Sequence, residues 1–322
     1  MVYSKGIYAT VQGFNSDISP LLKAASMLFA DKQLPDVVDI GQWSPYTQWA
    51  NPDQISLQKQ FLFDTGVHNG KGAVKFILTK QIKDLEKRLQ HMSSLVKVVD
   101  TTVALEDEVF YTNKIEGAKT TRIRTSQIHA GEYLNISNYK SERMILNGFN
   151  AVEYITVYGR MVKPETTIRA WNTLVEDVCE NENIRGKRFR TGNVCVGSFV
   201  PVDFSEVEQL MTDYCHFYNN KFLDEYPFIK AALCHYVFET IHPFCDGNGR
   251  LGRLLMNNYL ISREIDSAKA VSISMAIDEM RSHYDVAFID SENEENDCTP
   301  FIQYMLERMF VAYSRALEVQ NS

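Results

Sequence analysis

The stretch I-H-P-F-C-D-G-N-G-R-L-G-R, from Ile241 to Arg253, sets one imidazole, one carboxylate, a G-N-G run and two arginines side by side. Upstream, Pro227 opens an apolar run through Ile229, Leu233, Tyr236 and Val237, at the spacing of one helix face. Downstream, Leu251, Leu254, Leu255 and Tyr259 return at the same spacing. The stretch therefore reads as a helix-loop-helix junction. Gly247 and Gly249 allow the loop backbone conformations closed to other residues, which leaves the N–H groups of Gly247, Asn248, Gly249 and Arg250 at the start of the second helix. Free amides at a helix N-terminus bind anions.

The side chains divide the remaining chemistry. Asp246 is a hard oxygen ligand, insufficient alone to cage a metal but enough to hold Mg²⁺ once phosphates supply further oxygens. Arg250 and Arg253, one turn apart, share a helix face from which each can fork onto phosphate oxygens. His242 has an unperturbed pKa of about 6.5, suited to proton abstraction near neutral pH. Together these groups describe transfer from a nucleotide to a hydroxyl. A purely structural junction would instead leave His242 as a buried imidazole and turn both arginines to solvent.

H-P-F-C-D-G-N-G-R-L-G-R resembles the signature of the Fic family, H-x-F-x-[DE]-G-N-G-R-x-x-R, and fills every specified position. A second element, Y-T-N-K-I-E-G at residues 111 to 117, resembles the family's inhibitory pattern [ST]-x-x-x-E-[GN] through Thr112, Glu116 and Gly117. The resemblance implies an all-α Fic-type helical bundle with a small β-hairpin flap. It also implies that Glu116 pairs with Arg253 and occupies space needed by the γ-phosphate of ATP. His242 is then the general base, Asp246 the Mg²⁺ ligand, and Phe244 a core anchor beneath the loop. Gly247, Asn248, Gly249, Arg250 and Arg253 seat the phosphates, and Tyr284 falls where relatives place an aromatic against adenine. Residues 187 to 201, K-R-F-R-T-G-N-V-C-V-G-S-F-V-P, fall where the family has its flap. Thr191, Gly192, Asn193, Val194, Cys195 and Val196 would hold a segment of the target by strand addition. Many relatives carry an aromatic residue where Cys195 stands, so V-C-V-G departs from the usual form.

With 322 residues the chain can bury a large core, and its net charge of -8 argues against a nucleic-acid or anionic-membrane surface. No segment approaches the ~20 apolar residues of a membrane helix, and the first residues do not read as a secretory signal, so a cytoplasmic location is the expectation. Six scattered cysteines read as reduced thiols. Cys234, His235, His242 and Cys245 raise a zinc alternative, but their spacing lacks the C-x2-C clip of common structural sites.

Residues 1 to 98 read as a mostly helical accessory region, and 99 to 322 as the Fic domain with its inhibitory helix at about 102–117 and catalytic loop at 242–253. In the accessory region, Ser19-Pro20 starts one helix before a proline-broken stretch. H-N-G-K-G at 68 to 72 reads as a solvated turn, and Leu78, Ile82, Leu85, Leu89, Met92 and Val96 mark a long amphipathic helix. Its stripe serves core or subunit contact, including a homodimer. Thr101 or Thr102 caps a helix with Glu106, Asp107 and Glu108 in its first turns, which Gly117 ends. Helices follow over Met144–Tyr158, Thr167–Val178, Phe204–Tyr218, Met275–Phe288 and Pro300–Val319, with the acidic run Ser291–Asp297 as a solvated loop.

The expected function is protein adenylylation, with ATP as donor, Mg²⁺ as cofactor and a hydroxyl-bearing protein, or the chain itself, as acceptor. Transfer of UMP, phosphocholine or a phosphoryl group, removal of AMP with Glu116 positioning water, and nucleotide sensing without turnover are the alternatives.

Overall fold

The structure is a computed structural model that describes residues 62–179, 188–197, 199–293 and 296–321. The helix expected from Ser19-Pro20 lies outside the described residues. Every residue from Pro227 to Ile241 is buried, so this helix is apolar on all sides rather than on one face, as befits the centre of a bundle.

In chain order the elements are a hairpin of β1 (Leu62–His68) and β2 (Ala73–Ile77), then α1 (Lys80–Leu95), α2 (Thr102–Ile115), α3 (Arg122–His129), α4 (Tyr139–Tyr158) and α5 (Pro164–Val175). After them come α6 (Val207–Asn219), α7 (Pro227–Ile241), α8 (Asn248–Ser262), α9 (Ile273–Asp278), α10 (Arg281–Asn293) and α11 (Thr299–Asn321). The all-α expectation holds for the body. Around α7 pack α8, α11, α6 and α1, and the inhibitory-type helix α2 lies against α8, α4 and α9.

The hairpin was not expected within the accessory region. β1 and β2 pair antiparallel, with Leu62 opposite Ile77 and His68 opposite Ala73, and Val74 and Phe76 alternate inward with no exposure. H-N-G-K-G is its turn, closed by the Asn69 N–H to Gly72 carbonyl bond at 3.3 Å. Gly70 and Gly72 there have φ of +83° and +128°, values that favour glycine. The turn is not wholly solvated, because buried Asn69 exchanges side-chain hydrogen bonds with Asn296 at 3.0 and 3.1 Å. The same contact corrects the reading of the acidic run. Ser291–Asn293 finish α10, and Asn296 and Asp297 lie along β2, where Lys75 N–H donates to the Asn296 carbonyl at 2.9 Å.

The long amphipathic helix is α1, with Ile82, Leu89 and Met92 inward against α11. Its buried Glu86 accepts from the N–H groups of Phe228 (3.3 Å) and Ile229 (2.8 Å), and so caps the N-terminus of α7. Burial pushes that carboxyl up to about 7 despite these bonds. Hairpin and α1 therefore share one core with the helix that carries the signature histidine.

The helix expected over Met275–Phe288 is divided by a turn at Glu279–Met280 into α9 and α10. The break lets the first turn of α9 meet α2: Ser274 donates its N–H (2.9 Å) and hydroxyl (2.5 Å) to the buried carboxylate of Glu108.

Candidate active site

The signature loop joins the C-terminus of α7 to the N-terminus of α8. His242 caps α7 in the left-handed region, φ +50°, an uncommon conformation for a side chain as large as imidazole. Arg190 supports it there. Buried among backbone carbonyls, its guanidinium donates to His242 (2.9 Å), Ile241 (3.4 Å), Gly192 (3.1 Å) and Val202, and its own N–H reaches the Pro243 carbonyl at 2.9 Å.

Beneath the loop, Phe244 stacks on Trp171 with ring centroids 4.5 Å apart and planes 5° from parallel. Trp171 also donates its indole N–H to the Asp246 carbonyl at 2.7 Å. Phe244→Ala should cost about 3–5 kcal/mol, the usual effect of truncating a buried aromatic. Urea unfolding checks this, and a loss under 1 kcal/mol would mean that the ring anchors nothing.

Gly247 takes φ +77° before α8, as its place in the signature led us to expect. Gly249 needs its missing side chain for a different reason, since it is helical. A Cβ there would lie 2.3 Å from Glu116 Oε1. Asn248 also departs from the expectation: its side chain closes the loop, accepting from Phe244 N–H at 3.0 Å and donating to the Phe244 carbonyl at 2.8 Å. Only its backbone N–H is left for an anion. The first bond of the helix runs from Leu251 N–H to the Gly247 carbonyl at 3.1 Å, so the amides of Asn248, Gly249 and Arg250 precede it and form the seat.

Helix α2 ends beside this seat. Glu116 is its C-cap, and Gly117 follows at φ +85° with its N–H on the Lys114 carbonyl. Arg253, 2% exposed, donates Nε to the Thr112 hydroxyl at 2.8 Å and Nη2 to both the Thr112 carbonyl (3.2 Å) and Glu116 Oε1 (2.7 Å). Burial acts to raise the Glu116 pKa, but the charge and hydrogen bond of Arg253, with Arg250 and Arg281 behind, outweigh it and hold the carboxyl below its usual range. Glu116 is thus a carboxylate at neutral pH, in a pair whose guanidinium is buried and whose acid is 31% exposed.

Arg250 is also buried, donating to the Leu174 carbonyl at 3.2 Å and lying 3.6 Å from Asp246. The two arginines, expected to share one helix face and fork onto phosphates, are each already engaged by the protein. Asp246 itself keeps 54% of its side chain exposed at the mouth. It is the one carboxylate the loop offers a cation, and no group of three metal-ligating side chains occurs among the described residues. That donor set fits an ion held largely by a substrate's phosphates.

The His242 side chain is 15% exposed. Burial brings its pKa down to about 4, against the opposing hydrogen bond to the Glu239 backbone, so it is neutral at pH 7 and can accept a proton.

The flap differs from the expected hairpin. Among the described residues of 187–201 its pairing reduces to one bridge, Val196 with Phe199, and the tight turn is at Gly197 rather than at Gly192-Asn193. Lys187 and Ser198 lie outside the described residues. Asn193 is instead a base for the segment, accepting from Phe204 N–H at 2.9 Å and donating to Asp203 at 2.9 Å. Thr191, Gly192, Cys195 and Val196 are exposed and Val194 half-buried, so the outer edge is open.

Tyr284 is not at the surface of a pocket. Its ring is 7% exposed against Phe301 and Tyr304, and its hydroxyl lies 3.1 Å from His235 Nε2. That aromatic layer leaves little ring face for an adenine. The zinc alternative is divided by the same packing, with Cys234 and His235 in the core and Cys245 exposed.

Three residues at the loop were not expected there: Arg190, Trp171 beneath Phe244, and Glu239, whose carboxylate lies 3.9 Å from both His242 and His235. The signal for Glu239 was its place one helical turn before His242. Nothing local marks Arg190.

Residues 163–260 match the family model described as the Fic/DOC family. Over 125 residues the chain is 34% identical to the protein adenylyltransferase Fic of Drosophila virilis, an alignment covering 38% of this chain and 24% of that protein. With the Drosophila ananassae protein of the same name it shares 28% identity over 237 residues, 69% of this chain and 46% of the relative. The chain thus spans less than half the length of these curated relatives. Among solved structures, a Fic family protein from Desulfovibrio desulfuricans G20 superposes with a TM-score of 0.68 at 20% identity, covering 77% of each chain. Fic-1 from C. elegans gives 0.62 at 18% identity, covering 74% of this chain and 73% of that one. The signature loop, the fold around it and these matches agree on a Fic/DOC-type domain at residues 163–260.

Proposed function

We propose that this protein transfers AMP from ATP to a hydroxyl of a protein, and that Glu116 holds the reaction back. The observation that carries the proposal is the 2.7 Å pair of Glu116 and Arg253, set directly beside the amides that begin α8. An arginine fork at an anion seat, occupied by the protein's own carboxylate, is what a site for a polyphosphate with a built-in competitor requires. The name adenylyltransferase borne by the curated relatives supports the choice of AMP.

In this reading the α8 amides and Arg250 orient the phosphate chain, and Arg253 takes the γ-phosphate once Glu116 has left. Neutral His242 accepts the proton of the attacking hydroxyl. The hydroxyl oxygen bonds to the α-phosphorus as the bond to the β-phosphate oxygen breaks, and pyrophosphate departs. The flap edge presents the acceptor as an added strand, contributing backbone hydrogen bonds that ask for little in the way of side-chain sequence. Mg²⁺ bound at Asp246 would neutralise charge on the phosphates.

Asp246→Ala should therefore shift half-maximal activity to higher Mg²⁺, read from a metal titration of initial rates. An unchanged curve would remove Asp246 from that role. The donor is tested by incubating the protein with α-labelled ATP, CTP, GTP and UTP, then identifying the adduct by mass spectrometry. Preferential incorporation from ATP with an adenylyl mass is the expected result. Stronger incorporation from another nucleotide, or no adduct even from Glu116→Gly, would overturn the assignment.

A further inference from the structure

The flap is braced by residues far outside its own stretch of sequence. Among the described residues its pairing is the single Val196–Phe199 bridge, with N–H to carbonyl distances of 2.9 and 3.0 Å, and an isolated two-stranded pair is marginal at best in water. Phe199 is fixed by packing instead: its ring is 9% exposed and sits edge-on to Phe288 of α10, with centroids 5.3 Å apart. Over the same ring, 4.5 Å from its centroid, stands the ammonium of Lys71 from the turn of the β1–β2 hairpin. Lys71 is held at both ends. Its backbone N–H donates to Asn69 Oδ1 at 3.1 Å, and its Nζ pairs with Glu292 of α10 at 2.7 Å. One residue earlier, the backbone of Gly70 rests on the flap's inner arm so closely that a Cβ would lie 2.3 Å from Val202 Cγ1. The Val202 carbonyl accepts from Arg190, the guanidinium that also holds the His242 carbonyl. The arm from Phe199 to Val202 therefore joins the hairpin turn to the signature loop.

We propose that Lys71 is a positioning residue for the protein acceptor: the hairpin turn of the accessory region holds the inner arm of the flap, so that the outer edge is ordered before a target strand arrives. The proposal rests on the reading of the flap as the acceptor site. A segment with one bridge of its own has little local stability, so contacts that are individually modest decide how much of it is ordered. Apparent affinity for an acceptor scales with that ordered fraction. Losing the cation over the ring together with the ion pair should weaken acceptor binding by about 3–30-fold. ATP is seated by the α8 amides and the two arginines, apart from this brace, so its binding should not change.

Lys71→Met keeps the length of the stem and removes the charge, whereas Lys71→Arg keeps both contacts. The full chains are compared in two ways. Amide hydrogen exchange at Val196 and Phe199, read by NMR, should be about 3–30-fold faster in Lys71→Met and near wild type in Lys71→Arg. AMP incorporation from α-labelled ATP is then measured across a dilution series of whole-cell lysate protein. Lys71→Met should reach half-saturation at a correspondingly higher lysate concentration, with the plateau rate and the calorimetric affinity for ATP unchanged, and Lys71→Arg should restore the wild-type curve. Unchanged exchange would overturn the brace. Faster exchange with unchanged half-saturation would overturn the role in acceptor capture, and a parallel loss of plateau rate and ATP affinity would make Lys71 a general stabiliser of the fold. If neither wild type nor Glu116→Gly incorporates AMP at all, the transfer reading fails, while amide exchange still decides whether the hairpin holds the flap.

Discussion

His242→Ala should lower AMP transfer by roughly 10²–10⁴-fold while leaving ATP binding nearly intact, the usual effect of removing a positioned base. Binding survives because the amides of α8 and the two arginines are held by contacts that do not involve the imidazole: Arg253 by Thr112 and Glu116, Arg250 by Leu174 and Asp246. A parallel loss of binding and turnover would make His242 a structural cap of α7. The pH profile gives a second reading of the same group. With its pKa brought down to about 4 by burial, His242 is already unprotonated through pH 5–8. The acid limb of kcat/KM assigned to the base should therefore lie well below pH 6.5, with activity lost only as pH falls toward the lowered value. A limb centred at 6.5 or above would contradict that protonation state.

Glu116→Gly should raise AMP transfer on the order of 5–150-fold, the effect of releasing a coupling of about 1–3 kcal/mol. Arg253 is buried and supplies one fork, which cannot serve a carboxylate and a γ-phosphate at full strength together. Glu116 also fills space: its Oε1 stands where a Cβ on Gly249 would be, over the first turn of α8. Glu116→Gln keeps that bulk and should release less. Arg253→Ala should not imitate either, because it takes away the anchor of inhibitor and substrate alike. Initial rates at ATP well below saturation compare the four proteins, because a competitor for the γ-phosphate is displaced once ATP saturates. If Glu116→Gly binds ATP and is no faster than wild type, α2 is scaffolding.

The signature loop was legible because its chemistry is local. Glycines at fixed offsets, an acid and two arginines within one turn and its helix announce an anion seat whatever surrounds them, and the pairing of Glu116 with Arg253 followed from the family resemblance. What could not be read is what long-range packing decides. The Asn248 side chain looks like a phosphate ligand until it is seen to close the loop onto Phe244, which leaves only the backbone N–H of Asn248 toward an anion. Tyr284 looks like a pocket aromatic until its hydroxyl is found against His235 in the core. The hairpin at 62–77 was missed because its inward pattern is short, and β2 is completed by Asn296–Cys298, more than two hundred residues away in sequence. Arg190 carries no motif, and its importance comes from the carbonyls of His242, Ile241 and Val202 converging on it.

In the proposed reaction one guanidinium, that of Arg253, is contested by Glu116 and the γ-phosphate. Calorimetric titration of wild type and Glu116→Gly with ATP and with AMP, each in Mg²⁺, tests it most directly. The substitution should tighten ATP by on the order of 5–150-fold and leave AMP, which has no γ-phosphate, nearly unchanged. An equal gain for both nucleotides, or none for either, would contradict it.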